Sequence, residues 1–168
     1  NHLPLTLVEE EGAKGLLCGH FERANEHGQA LDGTEVLAVF NRPNAYISLR
    51  WYVSSPAVAT WNYAVVHVHG RLSILGSSEL DQVLMTIVHQ YEPDLIGNSS
   101  LMPQSHLDKL KSAIVGFGTS IESIQAKFKL GQKRSSADQM GVYVYLFRST
   151  NLDDQQLSLF LKNTLKFN

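Results

Sequence analysis

The sequence predicts a mixed α+β fold, mainly β with helices, on three observations. Between residues 2 and 75, runs rich in Val, Ile, Leu, Tyr and Trp alternate with clusters of Gly, Asn, Asp and Pro, the pattern of short strands joined by turns. After Gly76 the apolar residues recur at i, i+3, i+4, i+7 and i+8, the period of an amphipathic helix. The chain has 168 residues, 43% of them hydrophobic and 18% charged, enough for one core and short for two. No repeat, low-complexity run or linker divides it, so a single domain over residues 1–168 is expected.

The strands are expected at His2 to Glu9, Gly15 to Phe21, Glu35 to Phe40, Ala45 to Tyr52 and Thr60 to Leu75. The intervening EEEGAKG, NEHGQALDGT and NRPN segments read as turns, because Gly supplies positive φ, Pro a fixed φ, and Asn or Asp a side chain that bonds the local backbone. The first strand opens abruptly at NHLPL with no preceding Met, so the numbering is expected to begin inside a longer protein. A helix then carries Leu80, Val83, Leu84, Ile87 and Val88 on one face, with Ser78 as N-cap and Pro93 beyond its end. A second follows Pro103, with Leu107, Leu110, Ile114 and Val115 on one face and Gly116 as its stop. GFGTSIESIQAKFKL alternates well enough for one more strand. Ser135 or Ser136 can cap a following helix, while MGVYVYLF reads equally as strand or buried helix. Leu152 to Phe167 closes the chain as a helix, with Asp153 and Asp154 in its first turn and Lys162 and Lys166 in its last, matching the helix dipole.

Charge and composition narrow the function classes. Lys and Arg number 14 against 16 Asp and Glu, a net charge of −2, which argues against broad binding to a phosphate backbone. No apolar run approaches the ~20 residues of a membrane span. The single cysteine, Cys18, cannot form an intrachain disulfide or a cysteine-based zinc site, and fits a reducing cytoplasm. In its apolar GLLCG setting it reads as a buried small residue rather than a nucleophile. No glycine-rich phosphate loop, GxSxG or HExxH occurs, and no catalytic residue is assigned.

Four motifs carry chemistry, each with a plainer alternative. Six of the chain's fifteen aromatic residues fall between Phe40 and Tyr63, including both tryptophans. Such a cluster can line a site for a flat ring, or form a core or a dimer contact. GHFERAN brings His20, Arg23 and Asn25 together, either as an anion clamp or as a polar strand end with Arg23 beside Glu22 and Glu26. KLGQKRSS gathers Lys129, Gln132, Lys133 and Arg134 before a helix start, either a phosphate site or a solvated basic loop. His67 and His69 share a strand face, with His20 as a candidate third ligand, but no carboxylate lies in register beside them, so hydrogen-bonded histidines are expected and no metal is assigned.

Taken in order, NHLPL, GHFERAN, EVLAVF, AYISLRWY, TWNYAVVHVHGRL and AKFKLGQKRSSADQMGV resemble the FMN-binding negative transcriptional regulator family of the PaiB type, from residue 2 to about residue 147. The resemblance implies an FMN-binding split β-barrel, related to the pyridoxamine 5′-phosphate oxidase group, with homodimers carrying flavin at the subunit interface. It also implies a further helix and first barrel strand ahead of Asn1. It would assign the FMN phosphate and ribityl chain to His20, Arg23 and Asn25. Tyr46, Ile47, Ser48, Thr60, Trp61 and Asn62 would line ring and tail, with Lys129, Gln132 and Arg134 contributing from the late loop. This chain departs from the family pattern at Glu22, Glu26, Leu49, Ala59, Gly131 and Lys133.

The first reading is therefore a cytoplasmic, homodimeric FMN-binding protein associated with negative regulation of transcription, in which the charge gives no support to direct DNA binding. A flavin-dependent oxidoreductase on a small substrate is the second, with the flavin carrying the chemistry. A split-barrel interaction module without cofactor is the third.

Overall fold

The computed structural model describes residues 1–9, 11–97, 100–101 and 103–165. Five strands and five helices follow in chain order among them: β1 Thr6–Val8, β2 Leu16–Glu22, α1 Glu26–Gln29, β3 Glu35–Ile47, β4 Thr60–Ile74, α2 Ser77–Tyr91, α3 Gln104–Ser112, β5 Ile114–Lys129, α4 Ser136–Phe147 and α5 Leu152–Leu165. Short 3-10 turns occupy Leu49–Trp51 and Pro93–Leu95. The strands form one sheet in the order β1-β2-β5-β4-β3, which does not close on itself. β2 runs antiparallel to β5, with Leu16 opposite Ser120 and Glu22 opposite Ile114.

Several sequence expectations shift. The first strand shrinks to three residues. The two strands expected around NRPN are one, because β3 runs straight through Asn41 to Asn44; Pro43 is accommodated because β3 is a sheet edge, where every second N–H points away from the ladder. The residues after Ile47 then leave the strand and turn, with the Ser48 hydroxyl accepting from the Arg50 N–H at 3.3 Å. Gly76, not Ser78, precedes the first turn of α2, and its N–H donates to Glu79 at 2.7 Å. α3 ends at Ser112, and Ile114, Val115 and Gly116 belong to β5. MGVYVYLF is helical: Ser135 caps α4 by accepting from the Asp138 N–H at 3.2 Å, and Val142 and Leu146 turn inward. Of the last helix, Lys166 and Phe167 lie outside the described residues.

The chain divides into two compact units, residues 1–38 with 68–124 and residues 39–67 with 125–168. The first has a core of Phe21, Leu72 and Phe117, with the two phenylalanine rings stacked at 5.2 Å. Cys18 is buried in the same unit, where loss of solvation, then Glu11 and Glu79, push its thiol up to about 11. The second unit buries Ile47 of β3 with Leu130, Val142 and Leu146 around Leu157 and Leu161 of α5. Each such side chain taken fully from water contributes about 1.5–3 kcal/mol before its ordering cost. Among the described residues no helix is long and apolar enough to cross a membrane.

Candidate functional site

Strand alternation divides the TWNY motif. Thr60 and Asn62 face one side of β4 and Trp61 the other. On the first side, within the second unit, lies a cavity of about 780 Å³. Thr60 and Asn62 line it from β4, Tyr52 and Val58 from the segment before β4, and Phe128, Lys129, Gly131, Gln132, Lys133 and Arg134 from the end of β5 and the loop after it. A smaller recess shares Tyr52, Asn62, Gly131 and Arg134 and is closed by Gln139, Val142 and Leu161.

The loop that brings the cations here is held from several directions. Gly131 has φ +76°, a conformation natural to glycine, and its carbonyl accepts from the Arg134 N–H at 2.9 Å to close the turn. The Gln139 amide donates to the carbonyls of Gly131 at 3.1 Å and Arg134 at 3.2 Å. Gln132 folds back, donating to the Phe128 carbonyl at 2.6 Å and accepting from the Leu130 N–H at 3.0 Å. Gln132 thus builds the loop rather than extending from it. Lys129 Nζ donates to the Thr60 hydroxyl at 2.6 Å. The Arg134 guanidinium lies 4.2 Å over the Tyr52 ring, a cation–π stack, and 4.0 Å from Asp138.

Asp138 is the pivot behind this wall. It is 1% exposed. Its carboxylate accepts from the N–H groups of Val53 at 2.8 Å and Ser54 at 2.9 Å, and from the Ser54 hydroxyl at 2.5 Å. The Ser54 bonds, side chain first, hold the Asp138 carboxyl below its ordinary 3.8 despite burial. Asn62 differs from every other polar group here. It is 2% exposed, lines both the cavity and the recess, and its amide makes no hydrogen bond among the described residues.

The remaining expected site residues fall elsewhere. Ile47 is fully buried in the core of the second unit and Ser48 caps the turn that follows it. Tyr46 meets Trp61 edge to face at 6.2 Å on the outward side, where both are about half exposed. His20, Arg23 and Asn25 belong to the first unit. His20 lines a different cavity there. The Arg23 guanidinium donates to the carbonyls of Ser112 and Ile114, each at 2.8 Å, tying β2 to the junction of α3 and β5. Asn25 caps α1, accepting from the Gly28 N–H at 3.2 Å. His67 and His69 join no group of three or more metal-ligating side chains among the described residues. Gln139 and Asp138 were not among the expected site residues; the signal for both was their place in the first turn of a helix capped by Ser135, whereas Tyr52 belongs to the aromatic cluster read as a possible wall for a flat ring.

A five-stranded open sheet with flanking helices, and a cavity lined by aromatic, amide and cationic groups, define a split-barrel type of ligand-binding protein. Residues 1–123 match the family described as "Putative FMN-binding domain", and the chain belongs to that family, whose cofactor is FMN. It is 35% identical to the protease synthase and sporulation protein PAI 2 of Bacillus subtilis over 98% of this chain and 80% of that one. An uncharacterized protein of Emericella nidulans is 28% identical over 84% of this chain and 72% of its own length. Among solved structures, the flavocytochrome Anf3 of Azotobacter vinelandii superposes with a TM-score of 0.49 at 16% identity, over 76% of this chain and 55% of that one.

Proposed function

We propose that the protein binds FMN in the cavity of the second unit and acts as a homodimeric regulator of the PaiB type. The observation that carries the placement is Asn62, a residue 2% exposed that lines the cavity and whose amide makes no hydrogen bond to the protein among the described residues, which leaves it free to bond a ligand there. The other linings suit the same molecule. Lys129, Lys133 and Arg134 stand beside the start of α4, where cationic side chains and helix N–H groups favour a phosphate. Tyr52 and Phe128 offer aromatic faces to a planar ring. Bound there, FMN supplies a redox-active ring, while Asn62 orients a polar edge and the loop cations hold the phosphate.

The dimer reading is supported by an outward sheet face on which Val39, Tyr46 and Trp61 are 52%, 50% and 54% exposed. Aromatic residues left in this way are typical of interfaces. With a net charge of −2, regulation is read as acting through a protein partner or a redox signal rather than through direct DNA contact.

An absorbance spectrum and thermal melt of the purified chain with saturating FMN test the reading. A bound-flavin spectrum and a raised Tm are expected; neither appearing would remove it. Anaerobic NADH or NADPH then separates regulator from oxidoreductase, since rapid flavin bleaching with turnover would favour the enzyme.

A further inference from the structure

The apolar stripes of α2 and α3 are only partly spent on the core. Leu80 and Val83 of α2 are buried, but Leu84, Ile87 and Val88 are half-buried, and α3 buries none of its residues. These three side chains, with Leu107 and Leu110 of α3 and Ile114 of β5, line a cavity of about 870 Å³ inside the first unit. Small-molecule sites occupy roughly this volume, ~300–1,000 Å³, and are mostly apolar. The wall is aliphatic: no Phe, Tyr or Trp is among its described lining residues. It offers a ring nothing to stack on and suits a flexible alkyl chain.

One part of the cavity is polar. His20 and Glu22, two apart on β2, share a face there with Asp81 and Lys111. Lys111 Nζ lies 2.6 Å from Asp81, so those charges offset one another. The Glu22 carboxylate has neither ion pair nor hydrogen bond among the described residues. The surplus charge at this end is therefore negative.

We propose that this cavity is a second ligand site that takes a small amphipathic cation, an unbranched alkyl ammonium with its chain along Leu84, Ile87, Leu107 and Leu110 and its head group at Glu22. A fatty carboxylate of the same length would meet the unpaired Glu22 with like charge. Each added methylene removed from water strengthens binding roughly fourfold.

Calorimetric titration of the full chain with octylamine, decylamine and decanoate, below their micelle concentrations, tests the proposal. Decylamine should saturate one site per chain, octylamine should bind roughly fifteenfold more weakly, and decanoate should bind at least ~tenfold more weakly than decylamine. Glu22→Gln, a change on an exposed side chain, should bring decylamine and decanoate close together; Leu107→Trp should narrow the path of the alkyl chain and weaken both. If Leu107→Trp does not fold, Glu22→Gln decides alone. No saturable binding of decylamine, equal binding of decanoate by the native chain, or unchanged selectivity in Glu22→Gln would each overturn it.

Discussion

The guanidinium of Arg134 lies 4.2 Å over the ring of Tyr52, so the cation on one wall of the second unit's cavity is set in place by the aromatic group on the other. Hydrogen bonds to a charged group are worth about 1.5–3 kcal/mol. Arg134→Ala should therefore weaken FMN by about ten- to a hundredfold. Riboflavin, which lacks the phosphate, should lose much less. Fluorescence-quenching titrations of both flavins against both proteins measure the difference.

Asp138 links α4 to the segment carrying Tyr52, and its depressed pKa fixes how that link responds to acid. A carboxyl whose folded pKa lies below 3.8 binds protons more readily when unfolded, so its contribution is full above the unfolded value and lost as pH falls through the folded one. Asp138→Asn should lower Tm at pH 7. The gap from the native chain should stay level down to about pH 5 and narrow below pH 4, as thermal melts across a pH series will show.

A Cβ on Gly141 would sit 2.2 Å from the Trp51 carbonyl oxygen, and Trp51 also stacks on Tyr145 at 5.4 Å. The approach of the Leu49–Trp51 turn to α4 thus requires glycine. Gly141→Ala should cost about 1–3 kcal/mol in urea unfolding and weaken FMN as well, because Tyr52 is carried by the same segment.

Cys18 is buried and its thiol is pushed up to about 11, so almost no thiolate exists near neutrality. Alkylation of the native chain should be slow and should accelerate only when urea unfolds the first unit, followed by mass spectrometry over time.

Much of the fold could be read locally. β2, β4 and α2 lie within a residue or two of their expected bounds, because alternation and the 3.6-residue period are properties of contiguous residues. What local pattern could not supply is tertiary. Pro43 looks like a turn until β3 is known to be an edge, and MGVYVYLF has apolar residues for either structure until α5 is seen to pack Leu157 and Leu161 against Val142 and Leu146. The site divides in the same way. Thr60, Asn62, Lys129, Gln132 and Arg134 were expected together and line one cavity, since each sits in a recognisable motif. Asp138 was not expected, because it meets Val53 and Ser54 across 84 or 85 residues of chain. Trp61 shows the converse: adjacency to Asn62 in sequence places it on the opposite strand face.

Backbone amide NMR during an FMN titration shows whether FMN occupies the cavity beside Asn62. Saturable shifts are expected at Asn62, Gly131 and Arg134, and those at Gly131 and Arg134 should be lost in Asn62→Leu. Saturable binding that leaves those three amides unmoved would contradict that placement.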